Sequence, residues 1–286
     1  MVKESLLSNL QFFIGVSKSI ECWYFLKMKF EKQHHSYELN FETVYLKKIV
    51  ALFILDSRGK IMRGENIMKV TVIGANGNIG RLATEKLQKK GHTPVAMVRK
   101  ESQKPFFKDK GIDTIFGDLS DSIENLTKVV EGSDAVVFTA GSGGSTGAEQ
   151  TMMIDLDGAV KAIEASKNAA IPHFIMVSAI GSDRWLTDHP EFLDQLGAYY
   201  PAKFYADEWL INSGLHYTIL RPGALTDDPE TGKISTGNHL DPSPISRSDV
   251  AEVIVAMVED SSKKDKAFDF VGGQDLISNA LAKEIN

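Results

Sequence analysis

The sequence predicts an α/β fold in which helices cover both faces of a doubly wound, mostly parallel sheet. From Met68 onward, short apolar segments alternate with longer segments of helical character, and polar or glycine-rich turns separate them. Several strand segments are nearly continuous apolar runs, which is typical of parallel strands covered on both faces. The first of these strands also leads directly into a glycine-rich turn and a helix.

The elements alternate between strand and helix, a pattern that gives right-handed crossovers between parallel neighbours. No internal repeat or low-complexity linker divides the chain after Met68, so we predict one domain over 68–286. We predict strands at 69–73, 94–98, 113–116, 135–139, 173–178, 216–220 and 267–271. We predict helices at 78–90, 102–110, 122–131, 148–169, 200–213 and 248–259.

Composition and charge restrict the class of protein. The 286 residues are 43% hydrophobic and 24% charged, as in a globular protein, and the net charge is −6. This acidic balance argues against a nucleic-acid partner or an anionic membrane partner, which need a basic surface. The single cysteine, Cys22, excludes an internal disulfide and fits a cytoplasmic location. The seven histidines show no metal-ligand spacing.

Residues 1–67 differ from the rest of the chain. They carry a net charge of +3, against −9 for 68–286, and show no sustained helical or strand periodicity. Just before Met68, the segment Arg63-Gly64-Glu65 can be encoded by a purine-rich stretch that reads as a bacterial ribosome-binding site. We therefore expect Met68 to be the natural start, with 1–67 a poorly ordered translated leader. A genuine N-terminal extension is the alternative.

The segment GANGNIG at 74–80 follows the first predicted strand and opens the first predicted helix. Its first glycine permits a tight turn, its second lets a diphosphate approach the backbone, and its third allows close helix packing. Because strand, glycines and helix occur in this order, we predict a dinucleotide site of the Rossmann type, with a plain tight turn as the alternative. The cofactor contacts expected here are Gly74, Asn76, Gly77, Asn78 and Ile79.

The second predicted strand ends at Val98-Arg99-Lys100. An acidic residue at this point would accept a hydrogen bond from the ribose 2′-OH of NAD. A guanidinium suits the 2′-phosphate of NADP instead. Arg99 therefore predicts that NADP(H) is favoured over NAD(H); the alternative is that both cations are solvated residues at a strand end.

Eight motifs in order along the chain together resemble a known family: GANGNIG, MVRK, FGDLSD, FTAGSGG, VSAIG, YYPAK, LRPG and ISRSDVA. They resemble the atypical short-chain dehydrogenases/reductases, specifically the NAD(P)H-binding, NmrA-like group. The resemblance covers 68–286 and implies a single NAD(P)-binding Rossmann domain with a small C-terminal portion on the substrate side.

The resemblance also implies further cofactor contacts. Asp118 in Gly117-Asp118-Leu119 is similar to the group that accepts a hydrogen bond from the adenine amine, and the adjoining Leu119 is also expected to contact the cofactor. Taken alone, Asp118 fits a helix cap, but its place after an apolar strand favours the adenine contact. The loop under the adenine ribose is expected at Thr139, Ala140 and Gly141. The loop that closes near the nicotinamide is expected at Arg221, Pro222 and Gly223.

Enzymes of this family use a serine, a tyrosine and a lysine, which the resemblance places at Ser178, Tyr199 and Lys203. The tyrosine exchanges a proton with the substrate during hydride transfer. The lysine lowers the pKa of the tyrosine and binds the cofactor ribose, and the serine hydroxyl orients the carbonyl group. Positions i and i+4 share a helix face, so Tyr199 and Lys203 are expected to converge on the cofactor.

Pro201 weakens this argument. If Pro201 were the first helical residue, Tyr199 would precede the helix and would not share a face with Lys203. Tyr200 is then the alternative exposed tyrosine, with Tyr199 a packing residue.

The insertion between Ser178 and Tyr199 contains Trp185 and Phe192. These side chains either line the substrate site or pack against their own domain. Asp155 and Asp157 lie two residues apart on a predicted helix and do not face each other, so paired-carboxylate chemistry is not favoured.

The retained Ser178, Tyr199 and Lys203 favour an NADP(H)-dependent oxidoreductase that transfers a hydride to or from a small carbonyl, alcohol or quinone-like substrate. The alternative is a non-catalytic NAD(P)H-binding redox sensor of the NmrA-like type. A nucleotide-sugar epimerase is disfavoured, because the part of the chain after Arg221 is too short for a large substrate lobe. The sequence leaves the oligomeric state open.

Overall fold

The structure, a computed structural model, describes residues 53–55, 61–63, 67–143, 146–260, 262 and 264–283. The chain divides into two compact units, residues 1–66 and 67–286. In the described part of the first unit, strands β1 (Phe53–Leu55) and β2 (Ile61–Arg63) pair in antiparallel orientation. The expectation of a poorly ordered leader falls almost entirely outside the described residues, and the start at Met68 stays a prediction.

The second unit contains a mostly parallel sheet. The strands of this unit are β3 (Lys69–Ile73), β4 (Thr93–Val98), β5 (Asp113–Phe116), β6 (Ala135–Phe138), β7 (Phe174–Val177), β8 (Tyr217–Pro222), β9 (Ala224–Thr226), β10 (Lys233–Gly237), β11 (Pro244–Ser246), β12 (Lys266–Gly272) and β13 (Asp275–Leu276). The strand order in the nine-stranded sheet is β13-β10-β12-β8-β7-β6-β3-β4-β5. Strand β10 is antiparallel to both its neighbours, and β9 pairs separately with β11.

Helices cover both faces of this sheet. They are α1 (Asn78–Lys89), α2 (Lys104–Lys108), α3 (Ile123–Val130), α4 (Ala148–Thr151), α5 (Gly158–Asn168), α6 (Tyr199–Ile211), α7 (Arg247–Glu259) and α8 (Ile277–Lys283). A π-helical segment, Met152–Asp157, joins α4 to α5. Helices α1, α7 and α8 pack in one apolar cluster, and α3, α5 and α6 pack in the other.

Strand β6 explains why the parallel strands read as continuous apolar runs. Val137 points into the cluster of α1 and α7, whereas Val136 and Phe138 point into the cluster of α3 and α5. All three side chains are fully buried, because successive residues of a strand face opposite sides of the sheet. Burial of each such side chain contributes roughly 1.5–3 kcal/mol to stability.

The predicted fold class is confirmed. Each predicted strand and helix is present, with its ends within two residues of the predicted ones. The sequence did not predict β9, β10, β11, β13 or α8. Among the described residues, no helix combines the length and the apolar character that crossing a membrane requires.

Candidate functional site

The first and third positions of the turn after β3 must be glycine for steric reasons. Gly74 has a φ of +83°, and a Cβ there would lie 2.5 Å from the backbone nitrogen of Ala140. A Cβ on Gly80 would overlap the carbonyl oxygen of Gly74. Glycine therefore permits both the sharp turn out of the sheet and the close packing of α1 against that turn.

Gly77, the second glycine, is exposed and forms the N-cap of α1. A Cβ there would contact only the carbonyl oxygen of Gly74, at 3.2 Å. No side chain caps the helix, so the N–H groups of Asn78 and Ile79 at its first turn are not used by a capping residue. A bare turn in front of an uncapped helix N-terminus fits the diphosphate of a dinucleotide.

The glycine turn lies where the sheet order reverses. On one side of β3 the sheet continues with β4 and β5. On the other side it continues with β6, β7 and β8. The backbone N–H and the hydroxyl of Thr139 both donate to the carbonyl oxygen of Ile73, at 2.9 and 3.1 Å. Thr139, Ala140 and Gly74 thus pack together at the carboxyl ends of β3 and β6. Sheets of this type bind a cofactor in a crevice at this position.

Arg99 and Asp118 lie near each other at the ends of β4 and β5. The N–H and hydroxyl groups of Ser120 donate to Asp118 Oδ1 at 2.9 and 2.8 Å. The N–H bond from Ser120 lowers the pKa of Asp118; burial opposes this, and the Ser120 hydroxyl and the Arg99 charge add to the lowering. Ser122 caps α3, so Asp118 is not its cap. Leu119 is buried, so its side chain belongs to the core.

Helix α6 begins at Tyr199, so Pro201 lies in its first turn, where no intrahelical N–H bond is lost. Tyr199 and Lys203 therefore share a helix face, and the Lys203 Nζ lies 5.6 Å from the Tyr199 ring centroid. Tyr200 is 6% exposed and packs edge-on against Phe192. Tyr200 is thus the more buried of the two, and Tyr199, which lies edge-on against it at 5.5 Å, is the partner of Lys203.

The structure adds Asp155 to these residues. Its Oδ1 lies 3.1 Å from Lys203 Nζ, and its Oδ2 accepts a hydrogen bond from the Ser142 backbone at 2.9 Å. Gly141, beside Ser142, leaves room for this carboxylate, since a Cβ there would lie 3.1 Å from Asp155 Oδ1. Lys203 also lies 3.5 Å from the carbonyl oxygen of Val177. Asp155 thereby links the loop after β6 to the lysine.

Burial and charge set the protonation of this group. Burial raises the pKa of Tyr199; Lys203 opposes the rise, and Asp155 and Asp207 add to it, so that the pKa is raised overall. The expected influence of Lys203 is present, but burial outweighs it. Burial lowers the pKa of Lys203, but the interactions with Tyr199 and Asp155 outweigh burial and leave that pKa above its ordinary value, so Lys203 stays protonated.

Ser178 directly follows the last residue of β7 and is buried. Its hydroxyl oxygen lies 3.3 Å from that of Ser182, which donates to Asp207 Oδ2 at 2.9 Å. The same Asp207 oxygen accepts a bond from Arg221 Nε at 3.1 Å. In the part of the chain that the structure describes, Ser178 thus belongs to a buried polar network with Arg221, and no hydrogen bond joins it to Tyr199.

The insertion between β7 and α6 packs on its own domain. Asp183 lies 3.1 Å from Arg221 Nη1, and the Trp185 ring lies 4.5 Å from the His189 ring, centroid to centroid. Phe192 packs against Tyr200. Trp185 and Phe192 thus pack in one cluster with Tyr199 and Tyr200, and their predicted role as walls of a substrate site stays a prediction.

Pro222 and Gly223 are buried at the end of β8. The Pro222 carbonyl accepts a bond from Ile180 at 3.0 Å, and the Gly223 N–H donates to the Phe270 carbonyl at 2.9 Å. A Cβ on Gly223 would overlap the Ser243 carbonyl. The backbone groups of this loop are therefore used within the fold, and its contact with the nicotinamide stays a prediction.

Comparison with known proteins identifies the family. The model of the NAD(P)H-binding family matches residues 74–261. A relative from Bacillus subtilis (strain 168), "Uncharacterized sugar epimerase YhfK", is 44% identical over 217 residues, which are 76% of this chain and 100% of that protein.

Two solved structures are similar. One, from Bacillus halodurans and named for an NAD-dependent epimerase/dehydratase, has a TM-score of 0.70 and 38% identity, covering 76% of this chain and 99% of that one. The other, the oxidoreductase ylbE from Lactococcus lactis, has a TM-score of 0.69 and 30% identity, covering 76% and 96%. The chain therefore belongs to the NAD(P)H-binding family, with the Rossmann fold of the atypical short-chain dehydrogenases/reductases that its motifs resemble.

Proposed function

We propose that this protein is an NADP(H)-dependent oxidoreductase that transfers a hydride to or from a small carbonyl, alcohol or quinone-like substrate. One observation carries the proposal: Tyr199, Lys203 and Asp155 lie together and connect through the loop after β6 to the glycine turn. A protein that only binds the cofactor has no physical need for a phenol and a buried ammonium at this place. We further propose a cytoplasmic protein without nucleic-acid or membrane partners.

The described residues fit the cofactor at both ends of the crevice. Gly77 and the first turn of α1 would hold the diphosphate, and Arg99 would face the 2′-phosphate. Lys203 would bind the nicotinamide ribose. When bound, the reduced nicotinamide supplies the hydride that reaches the carbonyl carbon.

Tyr199 supplies the proton in this scheme. Because its pKa is raised, its hydroxyl is protonated at neutral pH and can donate to the carbonyl oxygen of a substrate. The phenolate that remains is stabilised by the positive charge of Lys203, which Asp155 holds in place.

The test follows the absorbance of NADPH and NADH with a panel of carbonyl and quinone substrates. Tyr199→Phe should lower turnover by on the order of a hundredfold or more while NADPH affinity changes by less than about twofold. Tyr200→Phe, which removes a hydroxyl from the buried neighbour, is the matched control and should retain turnover. Equal turnover in Tyr199→Phe and the unaltered protein would contradict the proposed proton donor.

The second candidate is a redox sensor that binds the cofactor without turnover. It is favoured by the position of Ser178, whose hydroxyl bonds toward Ser182 and Asp207 instead of Tyr199. Tight NADPH binding with no turnover on the whole panel, and no effect of Tyr199→Phe, would support the sensor. Failure to bind either cofactor would contradict both candidates.

A further inference from the structure

Arg81 follows the third glycine of the turn and lies near the start of α1. Two contacts hold its guanidinium group. Its Nη2 donates to the Asn76 side-chain oxygen at 2.6 Å, and its Cζ lies 4.2 Å from the centroid of the Phe106 ring. A planar guanidinium stacked on an aromatic face and bonded at one edge has little rotational freedom left.

These two contacts locate Arg81 beside the predicted adenosine ribose. Asn76 belongs to the glycine turn after β3, and Phe106 belongs to α2, which follows the end of β4 at Arg99. Strands β3 and β4 are parallel neighbours, so their carboxyl ends lie side by side. Arg81 therefore bridges the place where the diphosphate would bind and the segment that carries Arg99.

The charge of Arg81 is not neutralised within the described residues. No carboxylate there forms an ion pair with Arg81, Arg99 or Lys100, and Arg81 Nε is buried without a hydrogen-bond partner. The neighbouring lysines differ in this respect. Lys104 pairs with Glu101 at 2.7 Å, and Lys110 pairs with Glu85 at 3.4 Å.

We propose that Arg81 is a second cationic residue for the 2′-phosphate of NADP(H), and that Asn76 is its positioning residue. This inference rests on the proposed cofactor. A guanidinium binds phosphate oxygens through paired N–H donors, which a neutral 2′-OH cannot match in strength. Because Asn76 and Phe106 already fix Arg81, little conformational entropy is lost when the phosphate binds.

The alternative is a structural role, in which Arg81 only braces the glycine turn through Asn76. The two roles differ in what they predict for the cofactors. A brace supports the diphosphate of both NADPH and NADH, so its loss weakens both equally. A 2′-phosphate contact affects NADPH alone, because the two cofactors differ only in that group.

The experiment measures dissociation constants of NADPH, NADH, 2′,5′-ADP and 5′-ADP by calorimetry. Arg81→Ala should weaken NADPH and 2′,5′-ADP about tenfold or more, and change NADH and 5′-ADP by less than about twofold. Lys110→Ala is the matched control, since Lys110 lies 5.0 Å from the same Phe106 ring but is paired with Glu85. It should leave all four constants unchanged within about twofold.

The role of Asn76 is tested with a double-mutant cycle. If Asn76 acts by positioning Arg81, Asn76→Ala lowers the preference for NADPH in the unaltered background and leaves it unchanged in Arg81→Ala. An equal loss of preference in both backgrounds would overturn the positioning role. The melting temperature of each variant is measured to show that it folds. If Arg81→Ala does not fold, Arg81→Gln is used in its place.

The outcomes separate the inference from the function on which it rests. Equal weakening of NADPH and NADH in Arg81→Ala overturns the 2′-phosphate role and leaves the oxidoreductase proposal intact. Equal affinity of the unaltered protein for both cofactors overturns the inference and the NADP(H) preference together. Binding of neither cofactor would refute the proposed function itself.

Discussion

The Asp155 carboxylate lies 3.1 Å from Lys203 Nζ, in an ion pair whose two side chains are 1% and 7% exposed. A buried charge without a partner is strongly destabilising, so each group depends on the other. The second oxygen of Asp155 accepts a hydrogen bond from the backbone N–H of Ser142. One carboxylate therefore holds both the lysine and the loop that faces the glycine turn.

We predict that Asp155→Asn lowers the free energy of unfolding by about 3 kcal/mol, because it leaves the Lys203 ammonium buried without a counter-charge. Urea denaturation at pH 7 measures this loss. The double change with Lys203→Met should be less destabilising than the sum of the two single changes, since the pair is lost only once.

Asp157→Asn is the control for this prediction. Asp157 pairs with Lys161 at 2.7 Å on the exposed side of the same helical stretch. Exposed pairs of this kind contribute less than about 1 kcal/mol, so the variant should be nearly as stable as the unaltered protein. Similar losses for both variants would show that the Asp155 effect comes from the helix and not from the buried pair.

The glycine turn permits a comparison between two alanine substitutions. Gly77→Ala should fold, because its Cβ would meet only the Gly74 carbonyl oxygen, at 3.2 Å. It should bind NADPH about tenfold more weakly or worse, because the added methyl group would stand where the diphosphate is proposed to lie. Gly80→Ala should lower the melting temperature, because its Cβ would overlap the Gly74 carbonyl inside the fold. Melting curves and NADPH titrations distinguish the two variants. Unaltered NADPH affinity in Gly77→Ala would refute the proposed diphosphate site at the glycine turn.

His173 predicts a pH dependence of stability. The side chain is 2% exposed, and its Nε2 lies 2.8 Å from Thr218 Oγ1. Burial, aided by Lys264, lowers the pKa of His173 from 6.5 to about 4. The unfolded chain therefore binds a proton at a higher pH than the folded chain, so stability is lost as pH falls from about 6.5 to about 4.

The loss attributable to His173 is at most about 3 kcal/mol. His173→Gln should reduce the slope of unfolding free energy against pH in this range. At pH 8 the histidine is neutral in both states, so the difference between variant and parent there gives the packing change alone. If the difference at pH 5 equals that at pH 8, the titration of His173 does not contribute.

The glycine turn was predictable because its determinants are local. An apolar strand, three glycines and a helix follow one another within 69–89, and the structure gives Gly74 and Gly80 a spatial reason. The short β10 and β13 were not predictable in this way. Lys233–Gly237 has small polar residues and owes its strand conformation to pairing with β12, more than 30 residues later.

Asp155 was missed for a different reason. The spacing argument assumed regular α-helical geometry, whereas Asp155 lies in the π-helical segment Met152–Asp157. Its partner Lys203 lies 48 positions further along the chain, and no local pattern connects the two. The position of Pro201 also could not be fixed by sequence, because proline is compatible with any position of a first turn.

The π-helical segment has a consequence for insertions and deletions. Each residue advances an α-helix by roughly 100°, so deleting Leu156 or Asp157 would rotate what precedes the deletion, Asp155 included, against α5 by about that amount. Gly158 and α5 would keep their packing on Leu119, and the domain would remain intact. The Asp155 carboxylate would turn away from Lys203. We therefore expect the loss of a single codon here to leave a folded protein in which the proposed catalytic lysine lacks its partner.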